Sequence, residues 1–132
     1  MGLIRQHPAF GCEILGDSPR LKLAREIALS HHENWDGTGY PKRTKGQRIP
    51  ISGRIVKVAD VYDALRSKRS YKAPLTHQET LQIFREGDDR INPGAHFDPD
   101  VLATFFKIEH MFDMIYDSSI LKIGLKRPGK RR

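Results

Sequence analysis

The sequence has 132 residues, 38% of them hydrophobic and 30% charged, with a formal net charge of +7. That is the size and polarity of one globular domain with its own core, and no apolar run approaches the ~20 residues of a membrane span. Of the 23 basic residues, Lys122, Lys126, Arg127, Lys130, Arg131 and Arg132 fall after Ile120 with no acid among them; the rest is nearly neutral, 17 basic against 16 acidic, which argues against a specific nucleic-acid surface on the folded part.

Met1 to Gln6 lacks the apolar stretch of a secretory leader, and the single Cys12 has no intrachain partner, so both features point to a reducing cytoplasm. His7-Pro8 opens a short helix running to about Leu15, with Pro8 at the first helical position, where a missing N–H costs least, and Gly16 closing it. Phe10, Ile14 and Leu15 form its inward stripe; His7 stands at the leading edge, and by itself reads as an ordinary surface histidine. Pro19 begins a second helix. Its Ala24, Ile27, Ala28 and His31 fall at i, i+3, i+4 and i+7, which predicts a helix through Leu23 to His32 with the His31 imidazole on the apolar face.

The run His31-His32-Glu33-Asn34-Trp35-Asp36-Gly37-Thr38-Gly39-Tyr40-Pro41 holds the densest set of metal-type and turn-type residues in the chain. Neighbouring helical positions splay their side chains around a point, so two adjacent histidines can serve neighbouring metals. Glu33 and Asp36 offer hard oxygen ligands, or acceptors for the other ring N–H of a ligating histidine. Gly37, Gly39 and Pro41 break the helix and form a loop that can lay Tyr40 over a site.

Lys42 to Gln47 is basic and aperiodic, an exposed loop that could lid the site. Ile49-Pro50-Ile51-Ser52 starts a longer helix in which Ile55, Val58, Ala59, Tyr62 and Leu65 mark the core face. Asp60 lies within an apolar run, where a buried carboxylate needs a cation, a metal or a set of donors, and Asp63 follows at i+3. The competing reading pairs both acids with Arg54, Lys57 or Arg66 at helical spacing. A basic connector follows, Arg66-Ser67-Lys68-Arg69-Ser70-Tyr71-Lys72, suited to phosphate recognition though also to a solvated surface. Thr76-His77-Gln78-Glu79 is a capping box for a helix from His77 to Glu86, with Leu81 and Phe84 inward and Gly87 ending it. Asp88 to Phe97 reads as a loop. Asp98-Pro99 caps a last helix with Val101, Phe105, Ile108, Phe112 and Ile115 inward, and His96 and His110 read as structural or exposed. No stretch alternates like a strand, so the fold class is all-α.

These residues resemble the HD-GYP branch of the HD-domain metal-dependent phosphohydrolases. The branch signature H-H-E-x-x-D-G-x-G-Y-P is matched at every fixed position from His31 to Pro41, His7-Pro8 with Gly11 is similar to its H-P-x-x-G element, and the likeness continues through Ala59-Asp60-Val61-Tyr62-Asp63-Ala64-Leu65 and Arg69-Ser70-Tyr71-Lys72. The resemblance implies an HD-like helical bundle and hydrolysis of the bacterial messenger cyclic di-GMP at a two- or three-metal centre of iron or manganese. It implies His7, His31, His32 and Asp60 as metal ligands. Asp63 would lie beside the metal site on the substrate side, Arg69 and Lys72 would contact substrate phosphate, and Tyr40 would sit at the rim.

The family's founding His-Asp pair is expected upstream of the H-P-x-x-G element, and no His-Asp dipeptide occurs in the chain. Residues 1–117 are therefore expected to be a partial domain and 118–132 a basic, disordered tail. Two readings follow: a member or piece of a cyclic di-GMP phosphodiesterase that turns over poorly alone, or a noncatalytic remnant binding a metal, a nucleotide or a partner protein. The helical stripes are sized for more helices than the chain provides, so a bare apolar face and a homodimer or partner protein on it are expected.

Overall fold

The computed structural model describes residues 21–67 and 73–122, the last four by backbone alone. Its elements are α1 (Lys22–Ser30), α2 (Ile51–Arg66), α3 (His77–Glu86), the single-turn α4 (Pro93–His96) and α5 (Pro99–Lys122), with a 3₁₀ turn at Gly46–Arg48. There is no strand among the described residues, so the fold is all-α, that of an HD-type helical domain. The helix read from His7 to Leu15, with His7 itself, and the connector bearing Arg69 and Lys72 lie outside the described residues.

α2 is the element against which the others pack. On one side it crosses α1 at Gly53, where an added Cβ would stand 2.1 Å from the Ser30 hydroxyl oxygen, so only glycine allows so close a crossing. Ser52 donates to Glu26 at 2.8 Å beside that crossing. The opposite face presents Val58, Tyr62 and Leu65 to Leu81 and Phe84 of α3 and to Phe97 and Phe105, all nearly fully buried. Phe84 lies 4.6 Å from Phe105 and 5.2 Å from Phe97 between ring centroids. Burying each such side chain stabilises the fold by about 1.5–3 kcal/mol.

Local signals set the helix ends. The Thr76 hydroxyl accepts from the Glu79 N–H at 3.1 Å while the Glu79 carboxylate accepts from the Thr76 N–H at 2.9 Å, the reciprocal box that the sequence predicts. Gly87 stops α3 at a φ of 79°, a conformation that glycine adopts at little cost. Asp98 caps α5, accepting from the Asp100 N–H at 2.8 Å.

Several expectations need correction. α1 ends at Ser30, not His32, because the Glu33 N–H bonds back to the Ser30 carbonyl at 3.0 Å and turns the chain. The segment from Asp88 to Phe97 contains α4, capped by Asn92, whose side chain accepts from the Ala95 N–H. Ile55, Ile108 and Ile115 are exposed, since their spacing continues a stripe that no described neighbour covers. Asp60 is exposed as well; it looks out beside α1, away from the core. α5 runs from Pro99 to Lys122.

At the far end of α2, Arg66 reaches across to α5 and not along its own helix to Asp63. Its guanidinium donates to Asp113 at 2.9 Å and to the Tyr62 hydroxyl at 2.5 Å, and lies 4.4 Å from the Tyr116 ring centroid. The Tyr116 hydroxyl donates to the Arg66 carbonyl at 2.7 Å. Tyr62 also meets His77 at 2.9 Å, and His77 pairs with Glu109, so three helices share one polar cluster. Burial pushes the Tyr62 phenol up to about 12, with Arg66 opposing.

Candidate metal centre

The site forms where α1 ends against α2. The His31 Nδ1 stands 2.8 Å from the Ile27 carbonyl, one turn back. A carbonyl only accepts, so Nδ1 carries the hydrogen and the Nε2 lone pair is left for a ligand, the usual support of a metal-binding histidine. The His32 ring lies 4.0 Å from that of His31 and stacks on Tyr40 with centroids 5.0 Å apart and planes within 12°. Asp60 completes the group: one ligand atom each from His31, His32 and Asp60 lie within 4.8 Å of one another. An ion about 2.0–2.3 Å from each would hold its ligands no more than ~4.6 Å apart, so the set fits a single divalent ion after shifts of a few tenths of an ångström. Two imidazoles and a carboxylate suit iron, manganese or zinc.

The remaining signature residues shape the loop. Glu33 is buried at 3% exposure and spends both oxygens on backbone, accepting from the Lys42 N–H at 2.8 Å and the Thr44 N–H at 2.9 Å. It thus staples the returning loop to the end of α1 and is no ligand in this arrangement. Asp36 accepts from the Thr38 N–H and hydroxyl at 3.0 and 2.6 Å, and the Thr38 hydroxyl holds its carboxyl below the usual range. Gly37 takes a φ of 88°. An added Cβ at Gly39 would stand 2.4 Å from the Asn34 nitrogen and 2.5 Å from the His32 carbonyl oxygen, so the chain passes there only because glycine has no side chain. Tyr40-Pro41 follows with a cis peptide bond, and the Tyr40 ring lies on His32. Asp63 is exposed a turn beyond Asp60 and is not one of the three clustered groups.

The loop is anchored by residues that motif reading passes over. The Trp35 and Asp36 N–H groups donate to the His96 and Ala95 carbonyls of α4 at 3.1 and 2.9 Å. Arg54 lies 6.0 Å from the Trp35 ring centroid, donates to the Ile49 carbonyl at 2.8 Å and pairs with Asp98 at 2.7 Å. The N-cap role of Asp98 is legible from the sequence; its ion pair, 44 positions away, is not. Lys57 lies behind the site. Burial lowers its ammonium pKa against the opposing charges of Asp60 and Glu33, and burial together with Lys57 lowers that of His96.

The family model for the HD domain matches residues 1–101. The chain belongs to the HD-domain family, in its HD-GYP branch. It is 44% identical over 117 residues to a cyclic di-GMP phosphodiesterase of Vibrio cholerae, covering 83% of this chain and 23% of that protein. It is 44% identical over 116 residues to a cyclic di-GMP phosphodiesterase of Thermotoga maritima, covering 86% of this chain and 30% of that one. A 3'3'-cGAMP-specific phosphodiesterase of Vibrio cholerae is also 44% identical, over 115 residues, 86% of this chain and 21% of its own length. The chain therefore spans between a fifth and a third of these relatives. No helix among the described residues is long and apolar enough to cross a membrane.

Proposed function

We propose that this HD-GYP chain carries the metal-binding histidine and loop portion of a phosphodiesterase acting on cyclic di-GMP. The convergence of His31, His32 and Asp60, with His31 held by its Nδ1 hydrogen bond so that Nε2 faces the site, is the observation that carries the reading. In this proposal these three residues, together with His7, hold iron or manganese. A bound ion would supply the Lewis acid that draws electron density from a phosphodiester oxygen and lowers the pKa of an attacking water. The chain's own part is to position: Tyr40 closes one side of the site by stacking on His32 and offers a flat surface to a guanine base. Arg69 and Lys72 neutralise the phosphates, and the exposed Asp63 borders the substrate. Water adds at phosphorus and one ester P–O bond breaks, opening the ring. The absence of a His-Asp pair from the sequence makes slow turnover the expectation for these 132 residues alone.

The test titrates manganese and ferrous iron into the protein by calorimetry, then assays cyclic di-GMP and 3'3'-cGAMP side by side. Expected is metal binding and slow, metal-dependent conversion of cyclic di-GMP, both lost in His32→Ala. Nucleotide binding with metal but without conversion would assign the chain to the noncatalytic class, and failure to bind a metal ion would overturn the reading.

A further inference from the structure

The loop over the metal site is held from behind by a histidine that is not one of the clustered ligands. α4 is a single turn, Pro93–His96, and the carbonyls of Ala95 and His96 accept the Asp36 and Trp35 N–H groups at 2.9 and 3.1 Å. So short a helix does not stand by itself and depends on the bonds that close it. The Ala95 and His96 N–H groups donate back to the Asn92 carbonyl at 3.1 and 2.8 Å, and the Asn92 N–H donates to the His96 Nδ1 at 3.2 Å. A backbone N–H only donates, so Nδ1 keeps its lone pair and the ring hydrogen sits on Nε2.

The surroundings of this ring oppose a charge on it. His96 lines a narrow gap with Glu33 and Trp35 of the loop, Arg54 and Lys57 of α2, and Asp98. The nearby carboxylates are engaged elsewhere: Glu33 accepts from the Lys42 and Thr44 N–H groups, Asp98 pairs with Arg54, and Asp36 accepts from Thr38. Burial and then the Lys57 ammonium hold the imidazole below its ordinary 6.5, with Asp36 opposing; among the described residues no charge of α3, which also packs on α4, acts on the ring. We infer that His96 is a positioning residue for the metal-site loop in its neutral form only, and that a proton taken up from solvent on Nδ1 releases α4 and, with it, the Trp35 and Asp36 stretch of the loop. The added proton would set two hydrogens against each other across the Asn92 contact and put a second positive charge near Lys57, so the ring turns away and the Asn92 N–H loses its acceptor. Because the folded chain takes up this proton less readily than the unfolded one, the stability tied to the hold is complete above about pH 6.5 and is lost as pH falls through the folded value. The inference needs no bound ion, and it adds to the metal reading a control on the loop that responds to acid.

Trp35 is the chain's single tryptophan, so its emission reports the hold directly. The full chain is titrated from about pH 8 to about pH 5, across the ordinary histidine range. Ligating histidines lose metal in acid whatever holds the loop, so the titration is run without metal. Expected is a step in Trp35 emission with its midpoint below 6.5, with the Asn92 and Trp35 backbone amide resonances following the same midpoint. Nitrogen NMR of the His96 ring should show the hydrogen on Nε2 above that midpoint. His96→Gln, which cannot titrate but keeps an acceptor, should abolish the emission step with unchanged helical content, and Lys57→Met should move the native midpoint upward. A step that survives in His96→Gln, no step in the native chain, or a neutral ring with its hydrogen on Nδ1 overturns the inference. Were the glutamine variant not to fold, the native chain decides alone: Asn92 and Trp35 amides that do not titrate with the His96 ring overturn it equally.

Discussion

At Gly39 a single methyl group would collide with backbone on both sides, 2.4 Å from the Asn34 nitrogen and 2.5 Å from the His32 carbonyl oxygen. Neither neighbour can swing aside as a side chain would, so Gly39→Ala is expected to cost about 1–3 kcal/mol. Because the struck atoms include the backbone of a clustered histidine, metal affinity should fall as well; thermal denaturation and a manganese titration measure the two losses. Asp98 governs a different property. Burial would raise its carboxyl pKa, but the Arg54 guanidinium and the N–H groups of Asp100 and Val101 prevail and hold it below the ordinary 3.8. A carboxylate depressed in the folded state adds stability that is complete above the unfolded-state value and is lost as pH falls through the folded one. Stability should therefore decline below about pH 4 in the native chain. Asp98→Asn should flatten that decline in acid denaturation curves and cost about 2–4 kcal/mol at neutral pH, because Arg54, 16% exposed, loses its ionic partner.

The elements divide into those specified by adjacent residues and those that depend on distant ones. α3 is of the first kind: Thr76, Glu79 and Gly87 set its two ends, and the range read from them, His77 to Glu86, is the range observed. Thr76→Ala is accordingly expected to cost about 1 kcal/mol, read as a shift in the denaturant midpoint, and to leave metal binding unchanged. The pairing of His31 with His32 was legible for a related reason, whereas Asp60 was joined to them only through the family resemblance. The histidines are neighbours in sequence, and the signature that they open marks the loop folded over them. Ile55, Ile108 and Ile115 show where such reading stops, because helical spacing identifies which face is apolar but not whether another element covers it. Glu33 shows a second limit. Its composition suits a ligand, yet two backbone N–H groups nine and eleven positions downstream claim both oxygens, and nothing local announces that. The pairings of Arg54 with Asp98 and of Arg66 with Asp113 span 44 and 47 positions and were invisible for want of any local pattern.

Across the whole molecule, α2 separates three functions along its length and around its circumference. Its α1 side bears the His31, His32 and Asp60 cluster, its opposite side the aromatic core, and its C-terminal end the cluster of Arg66, Tyr62, His77 and Asp113. An ion held by His31 and His32 from the end of α1 and by Asp60 from α2 would add a tie between two elements already packed at the Ser30–Gly53 crossing and joined by the Ser52–Glu26 hydrogen bond. Ligand that binds only the folded state stabilises it by mass action, about 2.7 kcal/mol at a hundred times its dissociation constant. Manganese is thus expected to raise the melting temperature of the native chain by several degrees. In Phe84→Ala, which empties part of the core and should cost about 3–5 kcal/mol, the melting temperature falls but the increment from manganese should persist. In His32→Ala and Asp60→Asn the starting stability should change little, since both side chains are partly or fully solvent-exposed, while the increment disappears. Calorimetric scans of the four proteins with and without metal decide it: an undiminished increment in His32→Ala would mean that the ion binds elsewhere, and its loss in Phe84→Ala would mean that core and site do not separate.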